Sequence, residues 1–247
     1  MSGHSKWANI KRKKAKMDAV KGNVFSRLTK EIMAAAKRGG GNPDTNFKLR
    51  IAIDKAKANN LPAANIERAI RRATGQEAGV SYEEAIYEGY GPGGTAVYME
   101  ILTDNRNRTA GEVRHIFSRH GGSLGETGCV AWMFEPKGRI VLGPTDLGEE
   151  DLLDQAIEAG ADDLSEDNGE LVVLTEPELL DQVRQAFEDK GIHVEEAELV
   201  RLPKTTVAVS GREAEQLMEL IDLLEDHDDI QNVYTNADFP DDMLEEA

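Results

Sequence analysis

The sequence has very few of the residues that crosslink a fold or cross a membrane. Cys129 is the only cysteine among 247 residues, which excludes an intrachain disulfide and a metal site built from several thiolates, and favours a reducing compartment. The longest apolar run, residues 129–134, is far too short to span a bilayer. Residues 1–17 are charged where a secretory signal needs an apolar stretch. We therefore expect a cytoplasmic protein that contacts no membrane.

Signatures of catalysis and of cofactor or metal binding are also missing. The glycine-rich segment 91–94 lacks the GxxxxGK[ST] spacing of a phosphate-binding loop and sits between two predicted strands. His115 and His120 are five residues apart on a predicted helix, roughly 140° around its axis, and do not converge on one metal ion. The carboxylates form no calcium-loop pattern. We predict that the protein is not an enzyme, holds no cofactor or metal and has no small-molecule substrate.

Charge is divided very unevenly along the chain. Residues 1–76 hold 18 Lys and Arg against 5 Asp and Glu, whereas residues 77–247 hold 11 against 41. The net charge of −17 and the pI near 4.7 conceal this division. A basic region joined to an acidic body confines phosphate contacts to one end, because the body repels a polyanion elsewhere. The division predicts a nucleic-acid-binding N-terminal region.

The basic side chains of this region are the predicted contacts. Residues 1–17 form an arm with little apolar material, which predicts a segment that becomes ordered on an anionic partner. Trp7 in this arm either stacks on a base or ribose or docks back on the rest of the region. The predicted nucleic-acid-binding residues are Lys6, Trp7, Lys11, Arg12, Lys13, Lys14, Lys16, Lys21, Arg27, Lys30, Lys37, Arg38, Lys48, Arg50, Lys55, Lys57, Arg68, Arg71 and Arg72.

Three short amphipathic helices follow the arm. The first runs from about Asp18 to the glycines at 39–41, and the third opens at Pro62. The second is predicted to begin with Asn42 as its N-cap and Pro43 at its first helical position. Charged helix faces are usually only solvated surface, but helices normally mix both signs and so avoid self-repulsion. An excess of cations this large favours phosphate contacts.

Short strands and helices alternate beyond residue 76. Ser210 and Glu213 form a predicted capping box at the start of the last helix, and Asn105 is the predicted N-cap of an earlier one. Cys129 is expected to be a buried, unreactive thiol within a strand. The predicted strands lie at 85–89, 95–103, 129–134, 205–209 and 230–234, and the predicted helices at 106–120 and from 210 onward.

A self-contained βαββαβ pattern interrupts this acidic body. Its element order matches a split βαβ, ferredoxin-like module. We predict an α+β multidomain fold, with an N-terminal three-helix bundle followed by two ferredoxin-like α+β modules, one inserted in the other. The predicted domains are residues 1–78 for the arm and bundle, residues 79–137 plus 204–247 for the central module, and residues 138–203 for the inserted one.

One helix of the acidic body carries a group of basic side chains. Arg106, Arg108, Arg114 and Arg119 all lie on the predicted helix 106–120. They either pair with nearby carboxylates and hold the modules together, or make a second phosphate contact with help from the backbone N–H groups at the helix N-terminus. The sequence leaves both interpretations open.

Three stretches carry a resemblance to a known family: GHSKWANIKRKKAKMDAVKG, NPDTNFKLRIAIDKAKANNLPAANIERAIRRATG and YEGYGPGGTAVYMEILTDNRNRTAGEVRHIFSRHGGSLGETGCVAWMFEPKG. They closely resemble the YebC/PmpR family, which includes the mitochondrial translational activator of cytochrome c oxidase. The likeness is strong over about the first 138 residues and depends on length and element order beyond them. It implies a helical bundle and two α+β domains, without a cofactor or catalytic activity.

The resemblance implies two kinds of nucleic-acid target, because family members are described both as promoter-binding transcriptional regulators and as ribosome-associated translation factors. The bundle shows no evident recognition helix, and phosphate contacts position a protein without reading sequence. This favours structured RNA or nonspecific DNA, whereas the family descriptions favour promoters. We predict a regulator that binds DNA through its basic N-terminal domain. The alternatives are a translation factor on ribosomal RNA and an acidic protein-interaction adaptor; a monomer is the default expectation.

Overall fold

The computed structural model describes residues 21–75, 82–145, 147–167 and 170–240, and the predicted arm lies outside these residues. Residues Glu135–Leu202 form one compact unit, and the described residues on either side of them form another. The helices are α1 (Lys21–Gly39), α2 (Phe47–Ala58), α3 (Ala63–Ala73), α4 (Arg106–Arg119), α5 (Glu149–Ala159), α6 (Leu180–Asp189) and α7 (Gly211–Glu225). The strands are β1 (Glu83–Tyr90), β2 (Ala96–Thr103), β3 (Ser123–Leu124), β4 (Phe134–Leu142), β5 (Asp163–Asp167), β6 (Glu170–Thr175), β7 (Val194–Pro203), β8 (Val207–Ala208), β9 (Ile230–Thr235) and β10 (Ala237–Asp238).

Helices α1, α2 and α3 form a bundle around one apolar core. Leu28, Ile32 and Ala36 of α1 are almost fully buried and share this core with Leu49 of α2 and Ile66 of α3. Their spacing of four residues places the three α1 side chains on one side of the helix. Burying a leucine or isoleucine contributes roughly 1.5–3 kcal/mol. The predicted three-helix bundle is therefore confirmed.

The second helix begins later than predicted. Its N-cap is Asn46, whose side-chain oxygen accepts a hydrogen bond from the Leu49 N–H at 3.2 Å. The Asn46 amide also donates to the carbonyls of Ala35 and Gly40, both at 2.8 Å, and so joins the end of α1 to the start of α2. The prediction of a cap at Asn42, followed by a proline at the first helical position, is wrong because Asn46 is buried and satisfies both helix ends at once.

The central module contains an antiparallel sheet of order β3-β1-β2-β9, covered by α4 and α7. In β2, Val97, Met99 and Ile101 pack in the core shared with these helices. The alternate residues Ala96 and Tyr98 pack in a smaller cluster with residues of the segment that leads into β4. Because both faces of β2 are covered, its sequence is an almost unbroken apolar run.

The apolar run at 129–134 does not form the buried strand that it predicts. Ala131–Met133, half of the segment, form a short 3-10 helix before β4 begins at Phe134. The reason is Glu88, which is 2 % exposed and accepts hydrogen bonds from three backbone N–H groups within residues 128–131. The donors are Gly128 at 2.6 Å, Val130 at 2.8 Å and Ala131 at 2.7 Å. N–H groups that a strand would use for pairing are bound to a buried carboxylate instead.

Helix α7 begins where predicted but without the predicted capping box. Ser210 is its N-cap and makes no side-chain cap hydrogen bond. The following Gly211 has a φ of +52°, and this left-handed conformation removes the geometry that a capping box needs. The strand predicted at 205–209 is shorter, because its partner β10 is only two residues long. By contrast, Asn105 caps α4 as predicted, accepting a backbone N–H of the first turn at 3.1 Å.

The inserted unit contains a sheet of order β7-β4-β6-β5. Counted within the unit, the strands lie in the order fourth, first, third, second, and β4–β6 and β5–β6 pair antiparallel. Helices α5 and α6 pack against each other, and the Gln182 side chain donates to the Ala159 carbonyl at 3.0 Å. The predicted βαββαβ order and the α+β multidomain fold are confirmed. The finer division at residue 78 into bundle and central module stays a prediction.

Candidate nucleic-acid interface

Helix α3 presents its arginines on its outer face. Ile66 and Ala69 are buried in the bundle core. Arg68, Arg71 and Arg72 follow one another at positions i, i+3 and i+4, and all three are exposed on the opposite side. Arg68 and Arg72 are like charges one turn apart, an arrangement that destabilises an isolated helix by roughly 0.2–0.5 kcal/mol. The outer face therefore concentrates positive charge, although Arg71 and Arg72 in the last turn interact favourably with the helix dipole and Arg71 lies 3.8 Å from Glu67 one turn earlier.

Helix α2 adds four basic side chains to the same bundle: Lys48, Arg50, Lys55 and Lys57. The Lys55 Nζ lies 3.4 Å from a Glu31 carboxylate oxygen, and the Lys57 Nζ lies 3.8 Å from its neighbour Asp54. Ion pairs at the surface contribute about 0–1 kcal/mol, so a phosphate can replace the carboxylate with little loss. Within the part of the chain that the structure describes, Lys48 and Arg68 have no side-chain partner.

The two basic residues at the end of α1 also stabilise the helix itself. Lys37 and Arg38 lie in the last turn of the helix, where positive charge interacts favourably with the helix dipole. Arg38 also forms an exposed ion pair with Glu84. The side chain of Lys21, like the predicted contacts at 6–16 in the arm, lies outside the described residues. Exposure leaves Lys37 and Arg38 accessible to phosphate as well.

Two other basic residues of α1 face the central module instead of solvent. The Arg27 guanidinium donates to the backbone carbonyl of Glu225. Lys30, which is 8 % exposed, donates to the Asp228 carbonyl at 2.9 Å and to the Asp229 carboxylate at 2.8 Å. These bonds hold the bundle on the central module within one compact unit. Both side chains are used in these contacts, and the proposed interface therefore does not include them.

Asp229 is the centre of a buried polar cluster. Besides Lys30, its carboxylate accepts hydrogen bonds from Arg108 and from the hydroxyl groups of Thr103 at 3.1 Å and Thr109 at 2.8 Å. Burial alone raises the pKa of a carboxyl group, but the hydrogen bonds from Lys30, Arg108 and Thr109 outweigh it and hold the pKa of Asp229 well below its ordinary value. Asp229 is therefore charged at neutral pH, and two cations balance it.

The four arginines of α4 divide into two groups. Arg108 donates to Asp229, and this hydrogen bond, together with the negative charge of Asp229, raises the pKa of Arg108. Arg106, Arg114 and Arg119 are exposed and, among the described residues, have no side-chain partner. The intramolecular interpretation thus describes Arg108. A second phosphate contact by the other three stays a proposal.

One group of three side chains around Asp229 resembles a metal site. Ligand atoms of Glu112, His227 and Asp229 all lie within 4.8 Å of one another. However, His227 Nδ1 accepts the Asp229 N–H at 3.1 Å, so the Nε2 atom carries the ring proton and faces Glu112 at 2.9 Å. Lys30 and Arg108 already balance the Asp229 carboxylate, and their charges repel a cation. The donor set fits an internal hydrogen-bond network better than a metal ion.

The single thiol lacks the properties of a nucleophile. Cys129 is half-buried, and its burial, together with the negative charge of Glu88, raises the pKa of the thiol. It is therefore protonated at neutral pH.

Among the described residues, no helix is long and apolar enough to cross a membrane.

The sequence did not reveal the roles of Glu88 and Asp229, the two buried carboxylates that accept hydrogen bonds in the compact unit outside Glu135–Leu202. Asp229 closes an acid-rich turn, residues 225–229, where it cannot be told apart from solvating carboxylates. Glu88 offered a weak signal, because it follows Ala85, Ile86 and Tyr87 in the predicted strand 85–89, and a glutamate buried in such a strand needs hydrogen-bond partners. Both carboxylates accept hydrogen bonds from groups that are distant in the sequence.

Comparisons with known proteins place the chain in a family. Residues 5–76 match the family described as TACO1/YebC protein N-terminal domain, and residues 82–237 match TACO1/YebC second and third domain. A "Probable transcriptional regulatory protein" of Caldanaerobacter subterraneus is 57% identical, over 98% of this chain and 100% of that protein. Another of that name, from Symbiobacterium thermophilum, is 56% identical over 94% and 97%. A conserved hypothetical protein from Aquifex aeolicus has a solved structure with a TM-score of 0.83 and 44% identity, covering 92% of this chain and 93% of that one. The predicted resemblance is thereby confirmed, and the chain belongs to the TACO1/YebC family.

Proposed function

We propose that the protein is a transcriptional regulator that binds DNA through the basic surface of its helix bundle. The observation that carries the proposal is the outer face of α3, where Arg68, Arg71 and Arg72 are exposed at helical spacing. The described bundle, residues 21–75, holds 12 Lys and Arg against 4 Asp and Glu. Such an excess repels itself and becomes favourable when phosphates neutralise it. The names of the relatives support the regulatory role.

The bundle surface suits contacts to the nucleic-acid backbone. Arginine guanidinium groups bind phosphate oxygens through two parallel hydrogen bonds, and lysines add point charges. Asn65, half-buried on α3, is the only asparagine or glutamine on α2 and α3, the residue types that pair with adenine in a groove. Preference for a promoter then depends on DNA shape, on arginine contacts to guanine or on a partner protein.

The scarcity of exposed amide side chains on these helices supports a second candidate, a translation factor that binds ribosomal RNA. Phosphate contacts do not by themselves distinguish an RNA helix from a DNA helix. Both candidates use the bundle, so one set of variants tests both, and the ligand decides between them.

The test measures binding of the full-length protein to duplex DNA and to structured RNA of equal length by fluorescence anisotropy. If six to ten cations contact phosphate, the affinity falls by about 10³–10⁵ between 50 and 200 mM salt. The triple variant R68Q/R71Q/R72Q should bind at least about tenfold more weakly, and its salt slope should be lower by about three contacts.

A matched control removes the same amount of positive charge from outside the bundle. The variant K190Q/K204Q/R212Q changes three exposed residues and should bind like the wild type. Equal losses in the two variants, or a flat salt response of the wild type, would refute the proposal. Clearly tighter binding of RNA, without preference among DNA sequences, would favour the translation factor.

A further inference from the structure

Helix α5 of the inserted unit exposes apolar side chains on its outer face. Leu152 and Ala156 are buried, whereas Leu153 is 39 % exposed and Ile157, one turn further on, is 61 % exposed. Leu147, just before the helix, is 40 % exposed. Isoleucine is only a moderate helix former, so helix propensity does not explain its place on a solvent-facing surface. We call Leu153, Ile157 and the acids beside them the α5 surface.

Those acids are a row of carboxylates at a spacing of four residues. Glu150, Asp154 and Glu158 are all exposed on α5, and like charges one turn apart destabilise a helix. Glu158 lies 3.5 Å from Lys190. Glu150 and Asp154 have no partner among the residues that the structure describes. The free surface thus combines solvated apolar groups with like charges one turn apart, and the helix dipole stabilises Glu150 in the first turn but not Asp154.

The whole inserted unit shares this surplus of negative charge. Residues 135–202 hold 20 Asp and Glu against 5 Lys and Arg. The cations are largely used inside the unit: Lys137 contacts Asp162 and Glu176, Arg139 lies 3.6 and 3.3 Å from Glu196 and Glu198, and Arg184 binds Asp181 and Glu188. A nucleic acid is repelled from such a surface.

We infer that the α5 surface docks a basic amphipathic helix of another protein. Charge complementarity selects this partner, because lysines and arginines flanking an apolar stripe would pair with Glu150 and Asp154 while the stripe covers Leu153 and Ile157. Helices recognised in this way use apolar anchors at i and i+4 spacing, and complementary charge speeds and orients the encounter. The inference is independent of the proposed function, since it concerns a different compact unit and an oppositely charged ligand.

The test uses the full-length protein and a synthetic helical peptide of leucine and lysine with an amphipathic pattern. A second peptide of the same composition in scrambled order shows how much binding charge alone provides. The variant I157Q should bind the amphipathic peptide at least about fivefold more weakly, because it removes the most exposed anchor. The matched control L223Q changes a leucine that is 42 % exposed on α7 and should bind like the wild type. The variant E150Q/D154N should lower the salt dependence of binding.

Several outcomes would overturn the inference. Equal affinities of I157Q and L223Q, or of the two peptides, would mean that only the general negative charge attracts the peptide. Concentration-dependent dimers of the wild type in sedimentation, lost in I157Q, would make a second copy of this chain the occupant. Circular dichroism should show the same helix content in every variant, because the exchanged side chains are exposed. Nucleic-acid affinity of I157Q should equal that of the wild type.

Discussion

The helix bundle and the inserted unit treat their positive charges in opposite ways. In the inserted unit, Arg139 is 4 % exposed and lies beside two glutamates. A hydrogen bond to Asp162 and, to a smaller extent, one to Glu176 raise the pKa of Lys137 above its ordinary value. In the bundle, Lys48 and Arg68 are exposed and have no side-chain partner within the described chain. A count of charges indicates which region is basic, but only the pairing shows which cations can bind an external ligand.

The same difference between paired and exposed cations is found within the bundle, where Lys30 is paired like the cations of the inserted unit. It is buried and bound to Asp229, whereas Arg68 on α3 is exposed. Burying a charge is costly unless an opposite charge and hydrogen bonds replace water. A buried cation therefore serves the fold, and an exposed surplus of cations is what a polyanion can use.

The largest expected effect follows from removing the anion at the centre of the buried cluster. Asp229→Ala leaves Lys30 without its carboxylate partner, and breaking a buried ion pair costs about 3–5 kcal/mol of unfolding free energy. Urea unfolding followed by circular dichroism measures the loss. Asp54→Ala is the control, since Asp54 makes only an exposed pair with Lys57 and should cost about 0–1 kcal/mol. Similar losses in both variants would show that the cluster does not stabilise the unit.

The same residue sets a pH dependence whose sign follows from its lowered pKa. A carboxyl group with a lowered pKa in the folded state contributes stability that is fully present above its ordinary pKa, about 3.9, and is lost as the pH falls toward the lowered value. The difference in unfolding free energy between wild type and Asp229→Asn should therefore be constant from neutral pH down to about pH 5, and should shrink below about pH 4. A difference that grows in acid would contradict the assigned charge state.

The next prediction contrasts two lysines of the bundle directly. Lys30→Gln should lower the unfolding free energy by about 1–3 kcal/mol, because a buried charged hydrogen bond is lost. Lys48→Gln should leave stability within about 0.5 kcal/mol, and should lower the salt slope of nucleic-acid binding by about one contact. Urea unfolding and anisotropy titrations on both variants measure the two effects. If both lysines changed stability equally, pairing would not separate structural cations from binding cations.

The sequence predicts what depends on local spacing and misses what depends on distant partners. The α1 stripe of Leu28, Ile32 and Ala36 repeats every four residues, so the helix is evident from the sequence. Lys30 and Asp229 are 199 residues apart, and no local pattern shows which carboxylate of the acidic body meets which lysine. Their pairing follows from the packing of α1 on the central module, which periodicity does not encode.

The candidate interface follows the same rule. The exposed arginines of α3 are predictable, because one helix period places Arg68, Arg71 and Arg72 away from the apolar stripe. The segment 129–134 is not predictable in this way, because its backbone N–H groups bind Glu88, about 40 residues earlier. Apolar content favours a strand there, and a single buried carboxylate overrides it.

The smallest expected effect concerns the exposed arginines of α4. If Arg114 and Arg119 make the second contact, R114Q/R119Q should weaken nucleic-acid binding by about two- to fivefold and lower the salt slope by up to about two contacts. We expect less than for α3, because nearby carboxylates such as Glu112, exposed on the same helix, repel phosphate. Anisotropy titrations at several salt concentrations measure both values. An unchanged slope would assign these two arginines to solvated surface and restrict the interface to the bundle, whereas a loss as large as that of the α3 triple variant would break the contrast between the bundle and the acidic body.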